Sequence, residues 1–180
     1  MSNGLEEVAF LLWLFGAPVP VAVTASMRPP TAIGSDATVN LVDAISVVRT
    51  EAIRPHNVVV VSDGAVLHPA EVMKSHSTSV DSFRTSAQPI GTVRAGAVHL
   101  RHQARPGPLR HAAFPARFAP VELVTSYVGA DGQLVRHAVD RGVRGIVSAG
   151  MGAGFPTATE RTELLAAADA GVVGCQAPRT

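Results

Sequence analysis

Four consecutive valines and a serine, Val58 to Ser62, restrict the possible folds of this chain more than any other feature. A strand with one face in water alternates apolar and polar residues. An unbroken β-branched run has no polar face, so both of its faces must be covered, as in the parallel sheets of α/β proteins. Asp63-Gly64 follows the run at once and is a turn signal. Upstream, Asn40 to Ile53 reads as a helix in which Leu41, Ala44, Ile45 and Val48 fall on one face at helical spacing. Before it come a strand, Pro18 to Thr24, and a loop of proline, glycine and small polar residues, Met27 to Thr38. The chain opens with a short buried helix, Leu5 to Phe15, with Glu6 and Glu7 in the first turn, where the helix dipole favours acids. Strand, helix and strand joined by short loops predict an α/β fold with a mainly parallel sheet flanked by helices.

The pattern changes after Gly91. Val93 to Leu100 is compatible with strands, but Pro106, Pro108, Pro115 and Pro120 interrupt any regular element in the Arg-, Ala- and His-rich stretch that follows. Residues 106–120 are therefore expected to link a first domain, residues 1–105, to a second, residues 121–180. In the second the α/β alternation restarts: strand Val121 to Ser126, helix Gly132 to Arg141, strand Gly145 to Ala149, helix Thr157 to Ala170 and strand Val172 to Cys175.

Apolar residues make up 47% of the chain and charged residues 16%, enough apolar side chain to build cores and too little charge for a disordered chain. The net charge is +1 and the basic residues are scattered, which leaves no electrostatic footprint for nucleic acid. Cys175 is the single cysteine, so no internal disulfide forms. His99 and His102 lack zinc-ligand context in an arginine-rich stretch and read as a solvated pair, so no metal is expected. Val8 to Ser26 is strongly apolar, yet acids precede it and Gly16, Pro18 and Pro20 interrupt it. These features argue against a signal peptide and a membrane span, and the expected location is the cytoplasm.

Ligands of open parallel sheets sit at the carboxyl ends of strands. Four loops qualify: Thr24 to Pro29, Asp63-Gly64, Ser126 to Asp131, and Gly150 to Gly154. The last is glycine-rich, but its spacing is not that of a dinucleotide fingerprint, and a tight strand-to-helix turn is the reading adopted. Lysine occurs once, as Lys74, among hydroxyl residues in Lys74-Ser75-His76-Ser77-Thr78, while the other 14 of 15 basic residues are arginine. Lysine can exchange a proton in a hydroxyl-lined setting where arginine cannot. Against this stands a genome that seldom encodes lysine, in which case Lys74 is incidental.

Several of these segments together resemble the bacterial-type L-asparaginase/glutaminase family. Val21 to Pro29 is similar to that family's strand ending in Gly-Ala-Met-Arg-Pro. Ser35-Asp36 followed by Asn40-Leu41 resembles its Ser-x-Asp-Gly-x-x-Asn-Leu segment. Val72 to Thr78, then Phe83 and Pro89-Ile90-Gly91, follows its lysine segment in order and spacing. Tyr127 to Gly132 and Gly145 to Gly154 resemble its second-domain motifs. The resemblance implies a two-domain α/β fold and homo-oligomers. It also implies hydrolysis of a small amide, asparagine or glutamine, to acid and ammonia by a hydroxyl nucleophile, with no cofactor. It places Lys74 at the family lysine and Ser26 where a loop alanine contacts substrate through its backbone. Gly129 stands near a position that reaches the neighbouring subunit's site. Ser2 and Asn3 fall on the family's Thr-Asp pair, where Asn3 replaces an acid by a neutral amide.

In the family the nucleophilic threonine lies upstream of that pair, so the fold is expected to be incomplete at both ends and the nucleophile to be missing. An alternative reading follows: a non-catalytic fragment acting as a binding or oligomerisation module. A dinucleotide-binding or tRNA-linked module is disfavoured by the neutral charge and the glycine spacing.

Overall fold

The computed structural model describes residues 4–101 and 107–179. They form two compact units, Met1–Phe114 and Pro115–Thr180.

The first unit opens with helix α1 (Leu5–Phe15), capped by Gly4 in the left-handed conformation. Strand β1 (Val21–Val23), helix α2 (Ala37–Arg49), a single 3-10 turn (Glu51–Ile53) and strand β2 (Val58–Ser62) follow. All five residues of β2 are buried, as the valine run requires. Strands β3 (Ala65–Leu67), β4 (Val72–Lys74), β5 (Phe83–Thr85), β6 (Gly91–Arg94) and β7 (Ala97–Leu100) complete the unit. The five-stranded sheet has the order β1-β2-β3-β6-β7, and β4 and β5 form a separate hairpin.

This sheet departs from a mainly parallel arrangement beyond β2. Strands β1 and β2 run parallel, but β2–β3, β3–β6 and β6–β7 are antiparallel. The turn chemistry is the reason. Asp63 (φ 48°) and Gly64 (φ 68°) both adopt left-handed backbone and so make a two-residue hairpin, with no room for the crossover that a parallel neighbour needs. Ala95 and Gly96 repeat the device between β6 and β7.

The inner face of α2 is not the one that apolar spacing selects. Asn40, Asp43, Ala44 and Val47 are buried, while Leu41 and Ile45 are exposed. Apolar residues occur all round this helix, so their period does not single out a side. The buried polar residues are held by hydrogen bonds described below. Cores lie on both sides of β2: Val59 and Val61 pack with Ala44, Val47, Ile53, Val66 and Val93, whereas Val60 packs with Leu5, Ala9, Leu67, Val72 and Phe83. Residues 107–114 return to α1, where the Leu109 N–H donates to the Leu14 carbonyl (3.0 Å) and Phe114 packs edge-on against Phe15.

The second unit comprises β8 (Val121–Thr125), α3 (Gln133–Asp140), β9 (Gly145–Gly150), α4 (Ala158–Asp169) and β10 (Val173–Pro178). Its sheet, ordered β10-β9-β8, is wholly parallel. Val124, Ile146, Val135, Ala138 and Ala167 form its core between the sheet and the helices. Among the described residues no helix is long and apolar enough to cross a membrane.

Candidate active site

Three segments that are distant in sequence meet in the core behind Val60. Leu5 and Ala9 come from α1, Val72 and Phe83 from the β4–β5 hairpin, and Val23, Ala25 and Met27 from the end of β1 and its loop. Two of these segments carry a residue singled out by sequence. Ser26 lies between Ala25 and Met27 and is half-buried. Lys74 is two residues beyond Val72, also half-buried, and its backbone N–H donates to Glu6 Oε1 at 3.0 Å. The first turn of α1 is thereby fastened to the lysine strand. Ser2 and Asn3 lie outside the described residues; Gly4, which follows them, caps α1. Gly129 belongs to the second unit, beyond β8, with φ 90° and open space where a side chain would stand.

The hydroxyl run after Lys74 is organised by its hairpin. The Ser75 N–H and Oγ both donate to the Ser82 carbonyl, at 2.8 and 3.0 Å. Ser82 donates in turn to the Ser79 carbonyl, and Ser79 to Asp81. Asp81 also pairs with Arg84 at 2.6 Å. Hydrogen bonds from Ser79 and Arg84 hold the Asp81 carboxyl below its ordinary range. Ser77 is exposed in the loop between the two strands.

The Ser26 loop is fixed by Asp36 and Asn40, polar residues to which the resemblance assigns no role. Asp36 stands at the N-cap of α2 but makes no capping bond. Its carboxylate instead accepts the N–H groups of Met27 (2.9 Å) and Arg28 (2.9 Å) and the Asn40 Nδ2 (3.1 Å). Burial acts to raise its pKa, but the N–H groups of Met27 and Arg28 outweigh burial and hold it below the usual value. Asn40, 1% exposed, also donates to the Ala25 carbonyl (2.9 Å) and accepts the Asp63 N–H (3.0 Å). Thr24 Oγ1 donates to the Val61 carbonyl at 2.7 Å, joining the ends of β1 and β2. A usable signal for this network is an acid followed four residues later by asparagine at the start of a helix, since both are poor helix-interior residues. Asp43, one turn further, is pushed upward by burial.

The glycine-rich loop after β9 is a tight turn. A Cβ on Gly150 would stand 2.1 Å from the Gly154 carbonyl oxygen, and Met151 and Phe155 exchange backbone hydrogen bonds of 2.8 Å. No group of three or more metal-ligating side chains occurs among the described residues.

Comparison with known proteins places this geometry. Residues 2–106 match the family described as Asparaginase, N-terminal. The chain is 33% identical over 179 residues to a probable L-asparaginase of Deinococcus radiodurans, an alignment covering 96% of this chain and 54% of that protein. It is 26% identical to a glutaminase-asparaginase of Pseudomonas aeruginosa, over 85% of this chain and 44% of that one. The crystal structure of a probable cytoplasmic L-asparaginase from Campylobacter jejuni superposes with a TM-score of 0.92 at 27% identity. It covers 99% of this chain and 60% of that one. The chain thus spans about half the length of the relatives it matches.

Proposed function

This chain belongs to the asparaginase family, and from that premise we propose that it serves hydrolysis of the side-chain amide of asparagine or glutamine. The observation that carries the reading is the convergence of the Ser26 loop, the Lys74 strand and the start of α1 on one core. In such a reaction a hydroxyl oxygen attacks the amide carbon, the C–N bond breaks, the nitrogen leaves as ammonia, and water then cleaves the resulting ester. An alcohol is too weak a nucleophile without a partner to take its proton, and Lys74 is the group assigned to that task. Ser26 is the hydroxyl proposed to stand near it, and Ser2, on the family's threonine position, is the other candidate nucleophile. The Ser26 loop is proposed to contact substrate, and Gly129 to border the site of a second subunit. Asn3 cannot act as an acid or base, so the burden on Lys74 grows.

The test is ammonia release from asparagine and glutamine by the 180-residue chain beside Lys74→Ala. A fall in turnover of roughly 10²- to 10⁴-fold is expected on losing a proton-transfer partner. A folded chain that releases no ammonia would remove the catalytic reading.

A second reading, a non-catalytic oligomerisation module, is favoured by one face of the second unit's sheet. Parallel sheets are normally covered on both faces. Here Val121, Gly145 and Val173 align in one row, and Leu123, Val147 and Cys175 in the next. Val121, Leu123 and Val173 are more than half exposed. On this reading the face packs against a second copy. Sedimentation of the chain would then show a dimer that Leu123→Glu converts to monomer, and a monomeric wild type would exclude it.

A further inference from the structure

Two loops leave the parallel pair β1–β2 at its carboxyl end, the end at which α/β sheets bind ligands. One is Thr24 to Arg28, carrying Ser26; the other is Asp63-Gly64. A single buried side chain touches both. Asn40 Nδ2 donates to the Ala25 carbonyl and to the Asp36 carboxylate, and Asn40 Oδ1 accepts from the Asp63 N–H. Its amide is therefore used at both ends, as donor toward the first loop and as acceptor toward the second. A carboxylate of the same shape cannot donate, and an apolar side chain can do neither. Asp36 extends the grip by taking the two backbone N–H groups that follow Ser26, those of Met27 and Arg28. Asp63 holds left-handed backbone (φ 48°), a conformation that costs energy in a residue with a side chain and is sustained by what surrounds it.

We propose that Asn40 is a positioning residue that couples the Ser26 loop to the Asp63 turn, so that the backbone presented to a ligand at Ser26 is set by a side chain of α2. The proposal rests on the reading of the Ser26 loop as substrate-contacting. Asn40 itself touches no reacting atom. It acts by holding the Ala25 carbonyl and, through Asp36, the Met27 and Arg28 N–H groups, so that the peptide groups around Ser26 keep one orientation before a ligand arrives.

The two halves of the amide make the proposal separable by experiment. Site-resolved amide hydrogen exchange is measured by NMR on the full chain, on Asn40→Asp and on Asn40→Ala. Asn40→Asp keeps the acceptor for Asp63 but loses the donor to Ala25 and sets a second carboxylate against Asp36. Exchange should quicken at Met27 and Arg28 by about three- to ten-fold, the effect of roughly one hydrogen bond, while Asp63 stays protected. Asn40→Ala should release Asp63 as well. Val59 and Val61 report on the core and should remain protected in both.

The proposal fails if Asp63 is unprotected in the wild type or if the two variants give the same pattern. It fails equally if both lose protection at Val59 and Val61, because Asn40 would then be a folding residue. A parallel titration with L-aspartate reads the Ser26 amide shift. Wild-type binding weakened about ten-fold in Asn40→Asp, with an intact core, supports the positioning role. Unchanged affinity with an opened loop overturns it. Absence of any shift in the wild type would count against the amide-substrate reading, while the exchange pattern would still decide whether Asn40 couples the loops.

Discussion

Two loops in this molecule solve the same problem by opposite means. Each follows a parallel strand and leads into a helix: Thr24 to Asp36 joins β1 to α2, and Met151 to Thr157 joins β9 to α4. The first is held by side chains. Asp36, at the start of its helix, gives up capping in order to grip Met27 and Arg28, and Asn40 adds the Ala25 and Asp63 contacts. The second is held by its own backbone, with Gly150 pressed against Gly154 and an ordinary capping box at its end. In that box Thr157 Oγ1 accepts the Glu160 N–H, while Glu160 accepts the Thr157 N–H and the buried Ser126 hydroxyl. The backbone closure at Gly150 tolerates almost no added volume. The first loop hangs on the Asp36 carboxylate and is open to titration there.

That contrast is broken most sharply at Gly150. Gly150→Ala puts a methyl group 2.1 Å from a backbone oxygen, which cannot move aside as a side-chain tip would. The second unit should lose about 3 kcal/mol, read as a lower urea midpoint for that unit. A loss below about 1 kcal/mol would show the loop to be pliant.

Thr157→Ala comes next. It removes the hydroxyl that caps α4 and also donates to the Ala130 carbonyl at 2.8 Å, and should cost about 1 kcal/mol in the same assay.

The smallest effects are read by pH in the first unit. The Asp36 carboxyl is depressed below its ordinary value of 3.8 in the folded chain. Its stabilisation is therefore present above that value and is lost as the pH falls through the depressed folded value. Asp36→Asn should flatten that acid limb of the first unit's unfolding curve. Asp43 has the reverse sign: burial raises it, so its ionised form costs stability at neutral pH, and Asp43→Asn should stabilise slightly there. Denaturant midpoints measured from neutral pH to below 3.8 test both, and identical acid limbs for the wild type and Asp36→Asn would remove the titratable loop from the comparison.

Much of the architecture was legible because it depends on local chemistry. The valine run required a strand covered on both faces, and β2 is buried throughout. Short loops between periodic segments located the helices and strands of the second unit to within three residues, and Gly150 to Gly154 was readable as a turn. The site was legible in part. Lys74 and Ser26 could be singled out, but nothing in their spacing brings their segments to one core, because that depends on β4 and the loop after β1 packing on the same side of β2 although they are distant in sequence. Asp36 and Asn40 were visible as an acid and an asparagine at the start of a helix, but their partners were not, since Ala25, Met27, Arg28 and Asp63 contribute backbone groups, which every sequence has at every position.

The sequence alone determined the first helix, the buried strand β2 and the alternation of the second unit, and where the chain turns after β2, because β-branching, φ preferences and hydrophobic period act between near neighbours. Two matters were left to tertiary structure. One is the side of α2 that faces inward: with Leu41 and Ile45 on one side and Val47 on the other, apolar burial favours neither strongly. The hydrogen bonds offered to Asn40 by loops distant in sequence make its side the one that can be buried without leaving its amide unsatisfied. The other is the direction of the strands beyond β2, where a two-residue left-handed turn at Asp63-Gly64 converts a parallel start into an antiparallel sheet.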